Sequence, residues 1–278
     1  MSGRPKTGFI TKLKTVVWAV SVAERVLDEN ARNNVLQHES ELASGLSSTN
    51  KLDSFFNENG SKIWTKLLNG TVSPVTKIKT VESRLPNTSI YFLHPIWDIL
   101  NKKYVNEEDL YIFYQELNIA TQDIIKNKCI DDVVNKFDKE FHKKFNNILD
   151  LYSFLLFNAY QSKFQFRTES LEFSYLALLQ YSELIINSIG STGYYVIKLL
   201  ELHFQLESNS RLLKMGANFD FHLKQIGLFE VVKTAFKNKP QRYNLLKNHF
   251  EEFENEFFNY KFKLASITDF HINKSEKV

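Results

Sequence analysis

The sequence predicts an all-α protein: a small basic N-terminal helical unit, residues 1–103, followed by a larger multi-helix bundle, residues 104–278. Three observations carry that expectation. Nine Gly and five Pro in 278 residues are too few for a sandwich or barrel, which needs a turn signal every eight to twelve residues or so. Beyond Asn106, apolar residues recur at helical spacing over long stretches with few breaks. The breaks that do occur fall at turn-forming positions: Gly190 and Gly193, Gly216, and Pro240 after Asn238-Lys239.

Taken in order, a first helix is expected from about Phe9 to Asn30, with a weaker second one through Glu41. Gly45, Ser47, Ser48, Thr49 and Asn50 read as a loop. Short helices follow at Leu52–Phe56, Ser61–Leu68 and Pro74–Leu85; Pro86-Asn87-Thr88 ends the last of these, and His94-Pro95 opens another near Ile96–Lys103. Asn106 with Glu107, Glu108 and Asp109 is a capped, dipole-matched helix start. The helices expected after it span 107–128, 131–146, 147–164, 169–188, 194–214, 219–237 and 241–262, in an up-and-down arrangement.

Twenty-four Phe and twelve Tyr read as core filling. The single cysteine, Cys129, can form neither an internal disulfide nor a cysteine-based zinc site, which fits a reducing compartment. The apolar run Val16 to Ala23 follows Arg4, Lys6, Lys12 and Lys14, as a signal peptide would, but it is short for a leader and contains Trp18 and Ser21. No window approaches the eighteen or so apolar residues of a membrane span. The expectation is a cytoplasmic protein without a membrane segment.

Charge is unevenly placed. Residues 1–25 carry Arg4, Lys6, Lys12, Lys14 and Arg25 against Glu24, and residues 61–85 carry Lys62, Lys66, Lys77, Lys79 and Arg84 against Glu82. Each segment is four charges positive, leaving −5 for the remainder of a chain whose total is +3. Such a distribution is expected when one end meets a polyanion.

Within the second segment, Ile63, Trp64, Leu67 and Leu68 fall on one face of a helix, and Lys62, Thr65, Lys66 and Asn69 on the other. Gly70 stands where a helix C-terminus wants positive φ, and Pro74 suits the first turn of the next helix. Trp64, Lys66, Gly70, Pro74 and Leu85 make residues 61–85 resemble the recognition-helix region of lambda-repressor-like helix-turn-helix domains, with Leu52–Phe56 as the preceding helix. The first hundred residues also resemble a group of uncharacterised bacterial proteins with the pattern W-x-K/R-x-x-x-G-x-x-x-P, here Trp64 to Pro74. That pattern is followed here by Pro86-Asn87-Thr88-Ser89 and His94-Pro95-Ile96-Trp97. Near the N-terminus, Gly3-Arg4-Pro5-Lys6 resembles the Gly-Arg-Pro core of AT-hook segments, which lie in narrow A·T minor grooves.

These readings lead to a non-enzymatic DNA-binding regulator or accessory protein. Its duplex DNA would meet Lys62, Thr65, Lys66, Asn69 and Lys77 at the helices, with Arg4 and Lys6 as a minor-groove arm. Its C-terminal helices would form a homodimer or bind a protein partner; the seam of Phe250, Phe253, Phe257 and Tyr260 fits a core or such an interface. The first alternative is a ribonuclease: Arg32 to His38 and Arg242 to His249 resemble the R-x4–6-H motifs of helical HEPN-type enzymes. The second is a scaffold with no nucleic-acid role. The chain has no Walker A loop, G-x-G-x-x-G, G-x-S-x-G or H-E-x-x-H, so no cofactor or metal is expected. His38 with Glu39 and Glu41, Asp138 with His142, and His249 with Glu252 offer too few ligands each, and His94, His203, His222 and His271 are assigned to packing or capping.

Overall fold

The computed structural model describes residues 8–34, 48–58, 60–102, 104–128, 130, 141–167, 170–171, 173–174, 176–178, 181, 196–197, 199–200 and 203. Among the described residues the fold is all-α, with no strand, and it divides into two compact units, Met1–His94 and Pro95–Val278. The two units meet in sequence at the His94-Pro95 step.

In the first unit, α1 (Phe9–Asn34) is longer than its sequence pattern suggests. Leu13, Val16, Val17, Val22 and Val26 are buried along it at helical spacing. The run Val16–Ala23 contributes to the core: Trp18, Ala19 and Val22 belong to the hydrophobic cluster of this unit. Hydroxyls on α1 are satisfied by their own helix, Thr15 Oγ1 donating to the Thr11 carbonyl at 2.8 Å and Ser21 Oγ to that of Trp18 at 2.7 Å.

α2 (Ser48–Phe55) begins inside the Ser-Thr-Asn run expected to be loop, then α3 (Ile63–Leu68), α4 (Val75–Arg84) and the one-turn α5 (Ile90–Leu93) follow. Ser61 and Lys62 stay outside α3, and Pro74 precedes α4 as its N-cap rather than opening it. Helix α1 packs against α2, α3 and α5. Leu52, Phe56, Trp64, Leu67, Ile78, Val81, Leu85 and Phe92 close the core against Trp18 and Val22.

The end of α4 is fixed by one carboxylate. Glu82 accepts the backbone N–H groups of Asn87 at 2.6 Å, Thr88 at 3.1 Å and Ser89 at 2.7 Å, while Asn87 takes φ +65°. Burial pushes the Glu82 carboxyl up, and the N–H groups of Ser89 and Asn87, with the Ser89 and Thr88 side chains, more than reverse this and leave it below the ordinary range.

In the second unit, α6 (Ile96–Asn101) buries Ile96, Trp97, Ile99 and Leu100. α7 (Glu107–Glu116) opens on the expected cap: Asn106 Oδ1 accepts from Asp109 N at 2.8 Å and Asp109 Oδ2 from Asn106 N at 3.1 Å, a reciprocal capping box. The single helix predicted over 107–128 is two, because Leu117 and Asn118 are extended and α8 (Ile119–Asn127) starts afresh. Asn118 caps it by accepting from Thr121 N at 2.9 Å, and Gln122 Nε2 covers the end of α7 by donating to the Leu117 carbonyl at 2.7 Å.

Of the helix predicted over 131–146, residues 131–140 lie outside the described set and Phe141–Lys144 form a 3₁₀ turn. α9 (Ile148–Phe164) is buried almost all round and packs on α6, α7 and α8, as a central helix must. Phe141 meets Phe145, Phe154 and Tyr181 at ring-centroid distances of 5.2, 5.4 and 6.5 Å. The described residues between 170 and 203 are helical, with Val196, Ile197, Leu199 and Leu200 buried. The helices expected over 219–237 and 241–262, the seam from Phe250 to Tyr260, His222, His271 and Cys129 lie outside the described residues.

His203 ties the second unit together. Its Nε2 donates to the Leu100 carbonyl at 3.2 Å, which leaves Nδ1 to accept from the Tyr160 hydroxyl at 2.5 Å. Lys163 donates to the His203 carbonyl. Burial drives the imidazole from its usual 6.5 to about 4, the Leu100 carbonyl opposing and the Lys163 charge assisting. Burial, together with the Asp109 charge, keeps the Tyr160 proton in place.

Candidate nucleic-acid interface

Helix α3 is six residues long and is held from one side. Trp64 stacks on Trp18, centroids 5.8 Å apart and planes 21° apart, and on Phe56 at 4.9 Å and 26°. Leu67 is buried beside it, and Ile63 and Leu68 are partly so. With the inner face anchored by aromatic stacking, helical phase turns Thr65 and Lys66 outward; Lys62 and Asn69 stand at the two caps of α3, and all four are exposed.

Both ends of α3 use left-handed backbone. Gly70 has φ +64°; its N–H bonds the Leu67 carbonyl at 2.9 Å and Thr71 N–H bonds that of Lys66 at 2.9 Å, the paired bonds of a Schellman cap. A Cβ at Gly70 would collide with Lys12 Cγ and stand 3.1 Å from both the Lys12 carbonyl oxygen and Val16 Cγ2. Only glycine serves here, for conformation and for space. At the other end Lys62 takes φ 53°, ψ 18° as N-cap with no side-chain cap of its own. That conformation costs an ordinary residue about 1–2 kcal/mol. Ser61 Oγ accepts from Ile63 N at 3.2 Å in its place.

The described basic side chains of this unit separate into two groups. Lys12 is buried, Lys14 sits over the Phe92 ring at 4.6 Å, and Arg25 donates to the Pro86 carbonyl. Arg84 donates to the Phe55 carbonyl and lies 5.8 Å from the Phe56 ring. Lys77 pairs with the Glu58 carboxylate. These five serve the fold. Lys62, Lys66 and Lys79 project from the surface. Lys79, not singled out from the sequence, is placed outward by the burial of Ile78 and Val81 on the same helix.

Lys77 nevertheless borders the α3 end of the unit. Its partner Glu58 lies in the connection between α2 and α3, where the Ser61 N–H donates to the Glu58 carbonyl at 3.0 Å, next to Lys62. That connection, residues 56–62, is longer than the three- to four-residue turn of a helix-turn-helix. Arg4, Lys6, His38, Arg242 and His249 lie outside the described residues, and Arg32 is placed only as backbone of α1. Among the described residues no group of three His, Cys, Asp or Glu side chains could hold a metal ion, and no helix is long and apolar enough to cross a membrane. No protein-family model, curated protein or solved structure matches this chain.

Proposed function

We propose that the Met1–His94 unit binds duplex DNA through the outer face of α3, and that the protein is a non-enzymatic DNA-binding regulator or accessory factor. One observation carries the reading: Thr65 and Lys66 on α3, with Lys62 and Asn69 at its two caps, are exposed, while the opposite face of the helix is anchored through Trp64 and Leu67. Two cations with two hydrogen-bonding side chains form the set that phosphate contacts use.

The dimensions set the mode of contact. Six helical residues rise about 9 Å, less than the roughly 12 Å width of the major groove. So short a helix after so long a connection positions cations on phosphates better than it reads base edges, and affinity should depend on salt more than on sequence. Arg4 and Lys6 would add a minor-groove arm. The Pro95–Val278 unit would dimerise the protein or bind its partner; it exposes Tyr111 and Ile112 on α7 and Ile119 on α8, side chains of the kind interfaces cover.

A fluorescence-anisotropy titration of a labelled duplex of about 20 base pairs, in about 50 mM salt, tests the proposal. Saturable binding that weakens as salt is raised is the expected result. Absence of binding at that ionic strength ends the reading.

A further inference from the structure

We infer that Glu58 is a built-in competitor of DNA for Lys77, an autoinhibitory contact that holds one cation back from the α3 face. This rests on the DNA-binding reading above. Lys77 pairs with Glu58 Oε1, with side chains 30% and 16% exposed, so Glu58 is the more enclosed partner. Glu58 is fixed by its backbone, its N–H donating to the Asp53 carbonyl at 2.6 Å and its own carbonyl accepting from Ser61 N at 3.0 Å. The main chain that carries Glu58 is therefore held in the connection just before Lys62, while lysine is a point charge on a flexible four-carbon stem that can change partners.

The second carboxylate oxygen sharpens the point. Glu58 Oε2 is buried and accepts no hydrogen bond, so among the described residues Lys77 is the side chain that compensates the charge. A DNA phosphate that took Lys77 would leave that carboxylate uncompensated and close to the incoming backbone, which is costly for a partly buried charge. Lys77 is consequently withheld from DNA in the wild type, and neutralising Glu58 releases it.

The test is a double-mutant cycle on the full chain, with a short duplex as the probe and salt as the variable. Glu58→Gln should bind more tightly than wild type and steepen the slope of log K against log salt by about 0.9, making its advantage about three- to fourfold larger at 50 mM than at 200 mM salt. Lys77→Gln alone should leave the slope unchanged, and Glu58→Gln/Lys77→Gln should lose the gain. The inference is overturned by no gain in Glu58→Gln, by a gain that persists undiminished without Lys77, or by a slope loss of about 0.9 in Lys77→Gln, which would place Lys77 on DNA already. Should Glu58→Gln not fold, as judged by tryptophan emission, the Lys77→Gln slope decides alone. Failure of the wild type to bind duplex is a different result, since it removes the functional reading itself.

Discussion

Trp18 of α1 and Trp64 of α3 stack with ring centroids 5.8 Å apart, and this contact gives a six-residue helix a fixed orientation. So short a helix is not stable by propensity and takes its order from tertiary packing. Both indole N–H groups are buried without a hydrogen-bond partner, so the pair is held by ring packing alone. Trp64→Ala should cost about 3–5 kcal/mol and unfold the Met1–His94 unit at a temperature where the wild type is intact. Circular dichroism on heating checks this; a melting curve indistinguishable from wild type contradicts it.

Two left-handed positions flank α3, and they should respond to substitution in opposite directions. Gly70→Ala adds a strained conformation and a collision with Lys12, for a loss of about 2 kcal/mol or more. Lys62→Gly relieves strain at φ 53° and should be neutral or stabilising by up to about 1 kcal/mol, yet it removes a cation from the proposed DNA face. A stable variant with weakened DNA binding is the predicted outcome for Lys62→Gly, read from chemical denaturation and anisotropy on the same sample.

Asp150 joins the starts of two helices. Its carboxylate accepts from Asn118 Nδ2 at 2.6 Å and Asn147 Nδ2 at 2.7 Å, while each asparagine caps its own helix, α8 or α9. Asp150 is fully buried, so Asp150→Asn, which turns one acceptor into a donor facing a donor, should destabilise the second unit by on the order of 2 kcal/mol. Urea unfolding with an unchanged m-value measures it.

The buried His203 makes stability depend on pH. Its folded value, about 4, lies below the ordinary 6.5, so between those values the unfolded chain binds the extra proton and acid favours unfolding. The neutral-imidazole arrangement is fully supported above pH 6.5, and stability falls as pH drops from 6.5 towards 4, by at most about 3 kcal/mol from this group. His203→Gln should be less stable at pH 7 and should show a shallower decline in Tm between pH 6.5 and 4. An equal decline in the variant rules out His203 as the source.

What the sequence made legible was local. The two stripes of α3, the glycine at its end and the Asn106 cap each depend on residues within a turn or two of one another, so spacing alone revealed them. The break at Asn118 was hidden because α7 and α8 keep a continuous helical pattern, and the asparagine is engaged by Asp150, 32 residues away. The charge asymmetry of the N-terminal segments was legible, but its use was not. Arg25 meets the Pro86 carbonyl across 61 residues and Lys77 meets Glu58 across 19, so five of those cations serve the fold and local sequence could not sort them from Lys62 and Lys66. Ser48–Asn50 went the other way: a composition suited to loops is helix at the start of α2.

The most direct measurement is the affinity for a short DNA duplex as a function of salt, for the intact protein and for a Lys62→Ala/Lys66→Ala variant whose fold is verified by circular dichroism. The account predicts weaker binding in the variant and a slope of log K against log salt reduced by about 1.8, the loss of two phosphate contacts. An unchanged slope and affinity would contradict it.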